Sequence, residues 1–369
     1  MMVLKLLHLS FPKCEPCRTS LGAFARETFL VILEYKGMQG IGAANPFKPI
    51  TGDSPRDLVR EAKKVKELSF DPKKDSLKKL HAFLCKKIKS KTLECAIDAA
   101  YHDLIGKIKG VPVHKLYSKK ITVVDNSITV FLKDSLIKTQ NEARKIYKAF
   151  PDLKILKIKL KGKQDLERVK AIKSVSPRNM KFILDANQGY KDPKEAVRVL
   201  TQINKVLKNV LLVEQPCPKH DLKSLKYITD NLKGMLVFAD EAAATFEDVK
   251  KIVDKKAAHG VNIKLQKAGG IYPATQIALY CKKHWIKVMV GAMIEDRVGL
   301  TVDAHFAAAN SNVILTDLDT DIDSPLYVKG GSYLKNGQRK IYDRPGFGID
   351  LDIKKLRKIG PALVCKELL

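Results

Sequence analysis

A regular alternation of short apolar segments and helix-period segments, from about residue 127 to residue 319, most constrains the fold. The apolar segments have the length and branched composition of buried strands; they are 127–132, 153–160, 181–187, 210–216, 236–241, 260–266, 287–293 and 312–319. Amphipathic helical patterns such as 192–207 lie between them, so that one strand and one helix recur about every 25 residues. Eight such units predict an α/β fold with a parallel (β/α)₈ barrel, in modified form because no helix is readily assigned after Asp319.

The segments on either side of this alternation have different patterns. Residues 1–120 combine strand-like segments with helices, and Ser54 as N-cap with Pro55 behind it marks the start of the first helix. We therefore predict an α+β domain at 1–120 and a barrel at 121–324. Residues 325–369 are rich in strand and turn patterns, and we expect them to return to the N-terminal domain.

Composition narrows the class of protein. The net charge of +28 comes mostly from lysines dispersed along predicted helices, which is typical of a solvated surface. Nucleic acid binding is therefore not expected as the main function, although a basic polyanion-binding protein remains a remote alternative. No apolar run reaches the ~18 residues of a membrane span, and seven scattered cysteines do not form a disulfide framework. We expect a cytoplasmic protein that does not enter a membrane and that forms a homo-oligomer.

The segment KILKIKLKG at residues 154–162 combines the pattern of a buried strand with regularly spaced lysines. Lys157, Lys159 and Lys161 recur every second residue and so share one face of the strand. For this segment alone, an edge strand whose lysines face water is an equal alternative. Lys161 is interpreted as the exit of the strand into the following loop.

Charged residues at the ends of the other strands decide between these alternatives. These residues are Asp185, Glu214, Asp240 with Glu241, and Lys264. From Lys159 through Lys264 the successive intervals are 26, 29, 26 and 24 residues, each close to one strand-helix unit. We therefore expect all of them at the carboxyl-terminal face of the barrel, where barrel active sites are built.

The three acids on adjacent strands predict a metal site. Any one of them alone could be a helix cap or a surface group. Asp185, Glu214 and Asp240 together converge on one point and repel each other unless a cation lies between them. Three oxygen ligands with open positions suit Mg²⁺, for which Mn²⁺ can substitute.

The lysines predict proton transfer at a carbon centre. Lys159 and Lys264 belong to the second and sixth predicted strands and so lie on opposite sides of an eight-stranded barrel. One lysine can remove a proton from a bound substrate while the other returns a proton to the opposite face. A metal on the substrate carboxylate stabilises the resulting enediolate, and Lys157 is predicted to be a fixed positive charge near it.

Six motifs in this order resemble those of the enolase superfamily, and within it the muconate-lactonizing-enzyme subgroup. They are KIK (157–159), LDANQGY (184–190), VEQP (213–216), ADE (239–241), NIKLQKAGGI (262–271) and VGAMIE (290–295). Residues 94–117 are similar to the helix that links the capping domain of that family to its barrel. The resemblance implies an α+β capping domain over a modified barrel, with a lysine base and Mg²⁺.

Two further features resemble the dipeptide epimerases of this subgroup. They are ITGDS (50–54), which includes Thr51, and DLD (317–319) after the last strand. The resemblance implies that Asp317 and Asp319 bind the α-ammonium group of a dipeptide, although Asp321 and Asp323 leave the register open. Cycloisomerases, o-succinylbenzoate synthases and N-succinylamino acid racemases of the subgroup are the alternatives, and the cycloisomerase and synthase substrates have no ammonium group to bind.

Side-chain specificity is assigned by resemblance to a capping-domain loop and to residues after strand seven. The loop is 14–26, in which Arg18 or Arg26 can pair with an acidic side chain, and the residues after strand seven include Ile294 and Glu295. Such a pairing favours L-Ala-D/L-Glu by a narrow margin. Asp296 equally allows a basic substrate side chain, or it neutralises Arg297.

Overall fold

The computed structural model describes residues 1–19, 21–121, 123–162, 164–356 and 362–369. Residue 20 of the predicted specificity loop and residues 357–361 of the predicted C-terminal segment therefore lie outside the described residues. No helix within the described ranges combines the length and apolarity needed to cross a bilayer.

The N-terminal part contains an antiparallel sheet, a separate hairpin and helices. Its strands are β1 (Met2–Ser10), β2 (Cys17–Thr19), β3 (Gly22–Phe24), β4 (Glu27–Tyr35), β5 (Met38–Ala44) and β6 (Glu67–Leu68). The sheet includes β1, β4, β5 and β6, and the hairpin consists of β2 and β3. Its helices are α1 (Lys48–Thr51), α2 (Pro55–Lys63), α3 (Leu77–Lys87) and α4 (Lys91–Lys109), followed by a 3₁₀ turn at Val113–Leu116. β5 lies directly on α4, since a Cβ atom at Gly42 would lie 2.0 Å from the carbonyl oxygen of Ala96. Glycine is therefore needed where the sheet meets this helix.

Local signals explain where these helices begin. The Ser54 hydroxyl accepts a hydrogen bond from the Asp57 amide, and the Asp57 carboxylate accepts one from the Ser54 amide. This capping box, with Pro55 as the first helical residue, confirms the predicted start of α2. α4 contacts the sheet on one side and helices of the barrel on another, and it is buried along most of its length.

The barrel contains eight parallel strands in consecutive order. They are β7 (Ser127–Val130), β8 (Ile155–Lys159), β9 (Lys181–Asp185), β10 (Val210–Glu214), β11 (Leu236–Ala239), β12 (Gly260–Ile263), β13 (Lys287–Gly291) and β14 (Val313–Asp317). The helices between them are α5 (Leu136–Ala149), α6 (Asp165–Lys173), α7 (Pro193–Leu207), α8 (Leu222–Asn231), α9 (Phe246–Asp254), α10 (Leu265–Ala268), α11 (Ile271–Lys283) and α12 (Arg297–Ala309). A parallel bridge between Asn126 and Thr316 joins the first strand to the last. The predicted modified barrel with an N-terminal α+β domain is confirmed.

The inner face of the barrel is layered. An apolar cluster inside it contains Ile155, Ile183, Leu212, Phe238 and Leu315. Two residues further along the same five strands come Lys157, Asp185, Glu214, Asp240 and Asp317. Because side chains two residues apart share a face of a strand, the charged layer lies directly above the apolar one. The lysines of β8 therefore face the inside of the barrel, and the edge-strand alternative is wrong, while Lys161 beyond the strand is exposed.

The segment after β14 contacts both parts of the molecule. It contains β15 (Lys329–Gly330), β16 (Ser332–Lys335), β17 (Gln338–Ile341), β18 (Ile349–Asp350), α13 (Ile353–Leu356) and β19 (Val364–Glu367). Among the described residues no barrel helix follows β14, so the eighth strand-helix unit has only its strand. β16 packs on α12 through Thr301 and Ser332, whereas β19 pairs with β1 in the N-terminal sheet. The domain boundaries after residues 120 and 324 stay predictions.

Candidate active site

Three buried carboxylates form a cluster at the carboxyl-terminal end of the barrel. Asp185 and Glu214 are the last residues of β9 and β10, and Asp240 directly follows β11. Each offers an oxygen atom, and these atoms lie within 4.8 Å of one another. The strand register explains why these residues lie at the same height in the barrel, since Lys159 pairs with Asp185 and Asp185 pairs with Glu214. The predicted convergence of these acids is therefore present.

Lys157 lies at the centre of this charge cluster. Its Nζ atom is 3.0 Å from Asp185, 2.9 Å from Glu214 and 2.5 Å from Asp317. Burial opposes the charge of this ammonium group, but the three carboxylates outweigh burial and raise the pKa of Lys157 well above its usual value. The three carboxylates therefore hold Lys157 as a cation.

Lys159 and Lys264 line the cavity above the cluster. Lys159 donates hydrogen bonds to Asp185 (2.6 Å) and to the Asn187 side-chain oxygen (3.0 Å). Lys264 directly follows β12 and lies 2.8 Å from Asp240. β8 and β12 are four strands apart in an eight-stranded order, so the two amines come from opposite sides of the barrel. We use the term charged floor for the set Lys157, Lys159, Asp185, Glu214, Asp240 and Lys264.

The floor contains three lysines and three acids, but the charges of the acids are compensated unevenly. Burial opposes ionisation of Asp185, but Lys157 and Lys159 outweigh it and lower its pKa to about 2. Burial raises the pKa of Glu214 to about 7. The charge of Lys157 opposes this rise, and the charge of Asp185 adds to it. Lys264 and Lys267 likewise overcome burial and lower the pKa of Asp240. One carboxylate of the three is thus left without full compensation, which favours an additional cation.

The oxygen atoms of the cluster fit a divalent metal ion. Glu214 Oε1 and Asp240 Oδ2 are buried and accept no hydrogen bond, although a lysine nitrogen lies within 2.9 Å of each. Glu241, buried beside the cluster, also has a carboxylate oxygen without a hydrogen bond. A hard, all-oxygen set of this kind suits Mg²⁺ in particular.

Two further buried residues lie beside the floor: Lys267, which the sequence reasoning does not find, and Glu241, which it places at the strand end without a role. Lys267 Nζ lies 2.6 Å from Asp240 Oδ1, and burial lowers its pKa. It reaches Asp240 because α10 is a single helical turn that begins directly after Lys264, a turn that the sequence pattern of KAGGI does not reveal. Glu241 follows Asp240 in the motif ADE, and burial beside Asp240 raises its pKa to about 7.

Acidic residues at the end of β14 and directly after it also line the cavity. Asp317 accepts hydrogen bonds from the hydroxyl of Ser127 (3.0 Å), and Asp319 accepts one from the backbone amide of Thr129 (2.6 Å). Burial and the charge of Asp317 raise the pKa of Asp319 to about 7. Asp321 is instead held by Arg297 and Arg339, and the side chain of Asp323 is 75% exposed. Of these four acids, Asp317 and Asp319 line the cavity.

Most of the remaining cavity surface is apolar. We use the term apolar wall for the lining residues Leu21, Phe47, Ile50, Phe131, Met293 and Ile294. Phe47 packs edge-on against Phe24, with ring centroids 4.3 Å apart. Ile294, a predicted specificity residue, thus lines the cavity.

Three predicted substrate-binding residues do not line the cavity. Arg26 donates to the carbonyl oxygen of Thr320 at 2.7 Å, and its side chain is only 10% exposed. Thr51 donates its hydroxyl proton to Asp53, and Glu295 accepts bonds from the Met293 amide and from Gln266. Arg18 pairs with Asp134 at the surface. Among the described lining residues there is no arginine, and the pairing of Arg18 or Arg26 with an acidic substrate side chain stays a prediction.

Comparisons with known proteins agree with this geometry. The family model described as "Enolase C-terminal domain-like" matches residues 138–355. The L-Ala-D/L-Glu epimerase of Clostridium acetobutylicum is 29% identical, over 93% of this chain and 96% of that protein. The hydrophobic dipeptide epimerase of Enterococcus faecalis is 30% identical, over 86% of this chain and 90% of that protein. A solved structure of the dipeptide epimerase from Enterococcus faecalis, complexed with Mg and L-Leu-L-Tyr, has a TM-score of 0.86 at 28% identity and covers 95% of this chain and 98% of that chain.

Proposed function

The chain belongs to the enolase superfamily, and on this premise we propose that it is an isomerase that epimerises dipeptides. The observation that carries the proposal is the arrangement of charges around one cavity. Lys159 and Lys264 come from opposite strands, the carboxylate cluster lies between them, and Asp317 and Asp319 lie after the last strand.

The two charged groups of a dipeptide match two sets of acids in the cavity. Asp185, Glu214 and Asp240 would hold Mg²⁺, which supplies a positive charge for the substrate carboxylate and for the negative charge that develops on it. Asp317 and Asp319 are suited to the α-ammonium group, because a buried carboxylate binds an ammonium group strongly. The α-carbon of the C-terminal residue then lies between the two lysines.

Inversion of that carbon needs two bases. The Nζ atom of one lysine, as a neutral amine, removes the α-proton and becomes an ammonium group. The opposite lysine gives its proton to the other face of the carbon and becomes the amine. Lys157 keeps its charge throughout and stabilises negative charge on the substrate carboxylate. Because the exchange is symmetric, the enzyme works in both directions.

We infer that the preferred dipeptides carry apolar side chains. The apolar wall offers Phe47, Ile50 and Ile294 to a substrate, and the lysines in the described lining belong to the charged floor. An acidic side chain, such as that of L-Ala-D/L-Glu, would lose water there without gaining a cation. The preference for Ala-Glu from the sequence depended on Arg18 or Arg26, of which Arg18 pairs with Asp134 and Arg26 with the carbonyl oxygen of Thr320.

A panel of dipeptides in D₂O tests the proposal. With Mg²⁺ present, we expect epimerisation and incorporation of one deuterium at the α-carbon of the C-terminal residue, both measured by mass spectrometry and chiral chromatography. Apolar L,L-dipeptides should react fastest. N-succinylated amino acids serve as the comparison, because they lack the ammonium group. If N-succinylated amino acids react and free dipeptides do not, the chain is an N-succinylamino acid racemase.

Cytoplasmic location and homo-oligomerisation stay predictions from the sequence.

A further inference from the structure

A second cluster of possible metal ligands lies in the N-terminal domain, away from the charged floor. His81 and Cys85 are four residues apart on α3, so they share one face of that helix. Glu94 lies in the first turn of α4, the next helix along the chain. One ligand atom from each of the three residues lies within 4.8 Å of the other two. Among the described residues, this is the cluster that includes nitrogen and sulfur ligands.

The distances in this cluster are close to those of a tetrahedral zinc site. His81 Nδ1 lies 2.7 Å from Glu94 Oε1 and 3.9 Å from Cys85 Sγ, and Cys85 Sγ lies 3.5 Å from Glu94 Oε1. Ligand atoms around a tetrahedral Zn²⁺ are separated by roughly 3.3–3.6 Å, given its usual bond lengths. A small outward shift of the His81 ring from Glu94 is therefore enough to admit the ion.

The two carboxylate oxygens of Glu94 have separate partners. Oε2 pairs with Lys91 at 2.6 Å, whereas Oε1 faces His81 and Cys85. The Glu94 side chain is 2% exposed, so Oε1 is desolvated and has no competing lysine of its own. Burial and the nearby Glu94 raise the pKa of the Cys85 thiol. A metal ion that binds there must displace the thiol proton to solvent, and binding should strengthen as the pH rises.

We propose that His81, Cys85 and Glu94 bind a zinc-type divalent cation, with solvent in the fourth position. Nitrogen, thiolate and carboxylate ligands together favour Zn²⁺ or Co²⁺, whereas the charged floor offers oxygen atoms alone. Cys85 is exposed and His81 is half-buried, so the ion has an entry path and an open position. The proposal does not depend on the epimerase activity.

The location suggests what the ion would do for the fold. A Cβ atom at Gly269 would lie 2.9 Å from the Glu94 carboxylate, and the ring of Tyr272 contacts His81 with centroids 5.4 Å apart. Gly269 ends α10, the helical turn that carries Lys267. The ion would therefore tie α3 to α4 at the place where α4 packs against the barrel, and it should raise the thermal stability of the Mg²⁺-loaded protein.

Titration with Co²⁺ tests the proposal directly. In protein saturated with Mg²⁺, we expect one equivalent of Co²⁺ to bind with a thiolate-to-cobalt charge-transfer absorption. Cys85→Ser should abolish the absorption, and His81→Gln should weaken Co²⁺ binding by at least ~10–100-fold, since even indirect partners of a metal contribute that much. Cys14→Ser is the matched control, because Cys14 lies elsewhere and bonds to the carbonyl oxygen of Asp323. It should leave the absorption unchanged.

Alkylation of Cys85 gives an independent measurement. Zn²⁺ should protect this exposed thiol from iodoacetamide in the wild type and not in His81→Gln, as measured by peptide mass spectrometry. Circular dichroism establishes that both variants are folded. An absorption that is missing in the wild type or persists in Cys85→Ser overturns the proposal, and so does a thiol that Zn²⁺ leaves unprotected.

Discussion

The charged floor and the apolar wall of the cavity come from different parts of the chain. The floor is built from side chains at or directly after strand ends of the barrel, held by hydrogen bonds between neighbouring strands. The wall combines Leu21, Phe47 and Ile50 of the N-terminal domain with loop residues of the barrel. Rigid strands therefore position the groups that handle protons and charge, whereas loops shape the surface for side chains.

This difference predicts how the two regions respond to substitution. Each floor residue is buried and lies beside one to three oppositely charged groups, so the loss of one leaves others uncompensated. Wall residues make apolar contacts that weaken gradually as side chains shrink. Substitutions in the floor should therefore change the rate, and substitutions in the wall should change the preference among substrates.

Removal of either lysine base should have the largest effect. Lys159→Ala and Lys264→Ala are each expected to lower kcat/KM for epimerisation by on the order of 10⁴-fold, the upper range for a positioned acid or base. Each variant should still exchange the α-proton of one substrate epimer in D₂O, because one base remains. The epimer that exchanges should differ between the two variants.

Lys161→Ala is the matched control for the lysine prediction. Lys161 follows the same strand but is exposed, so this variant should keep wild-type kinetics. If the Lys159→Ala and Lys264→Ala variants both exchange the α-proton of the same epimer, the two amines act on one face of the α-carbon. The assignment of the two lysines to opposite faces is then wrong.

Metal binding to the floor should have the next largest effect. Asp240→Asn is expected to lower kcat/KM by roughly 10²–10³-fold and to raise the Mg²⁺ concentration for half-maximal activity. Asp230→Asn is the control, since Asp230 is an exposed acid paired with Lys226. Chelation should stop the wild-type reaction, and added Mg²⁺ should restore it. Full activity of the wild type in excess EDTA would contradict the assignment.

The floor could be predicted from the sequence because its signals are periodic. Strands of two-residue period and units of about 25 residues fix which side chains point inward and at which height. The predicted strands extend a few residues too far, as at Asp185, where the sequence 181–187 continues beyond the end of β9. Apolar composition does not reveal where the backbone leaves the sheet, since buried loops are also apolar.

The surroundings of the floor could not be predicted in the same way. Arg26 contacts Thr320, which is far away in sequence, and only the folded path of both loops brings them together. Lys267 approaches Asp240 through one short helical turn, for which no periodic signal exists. Spacing determines positions along regular elements, but loop contacts depend on tertiary packing.

The acidic pair after β14 should show a smaller effect with a distinct pH dependence. The pKa of Asp319 is raised to about 7, so its carboxylate is lost as the pH falls through this value. Below this pKa Asp319 is protonated, so binding of a substrate ammonium group should weaken and kcat/KM should fall. Asp319→Asn is expected to lower kcat/KM by roughly 10–100-fold at pH 8, the scale of one charged hydrogen bond, and to remove this acid limb.

Asp323→Asn provides the control for the pH profile. The Asp323 side chain is 75% exposed and does not line the cavity, so the variant should keep the acid limb. An acid limb that persists in Asp319→Asn would belong to another titratable group and would contradict the role of Asp319.

Substitution in the apolar wall should have the smallest effect and should separate wall from floor most clearly. Phe47→Ala removes a ring that packs against Phe24 and lines the cavity. We expect kcat/KM for dipeptides with large apolar side chains to fall by about 10-fold, while L-Ala-L-Ala changes little, because lost contact area matters only to a substrate that uses it. Phe246→Ala, at an exposed aromatic on α9, is the control. An equal loss of kcat/KM for all dipeptides of the panel would mean that Phe47 supports the positions of the floor residues. Floor substitutions are expected to lower the rate without changing the preference among substrates.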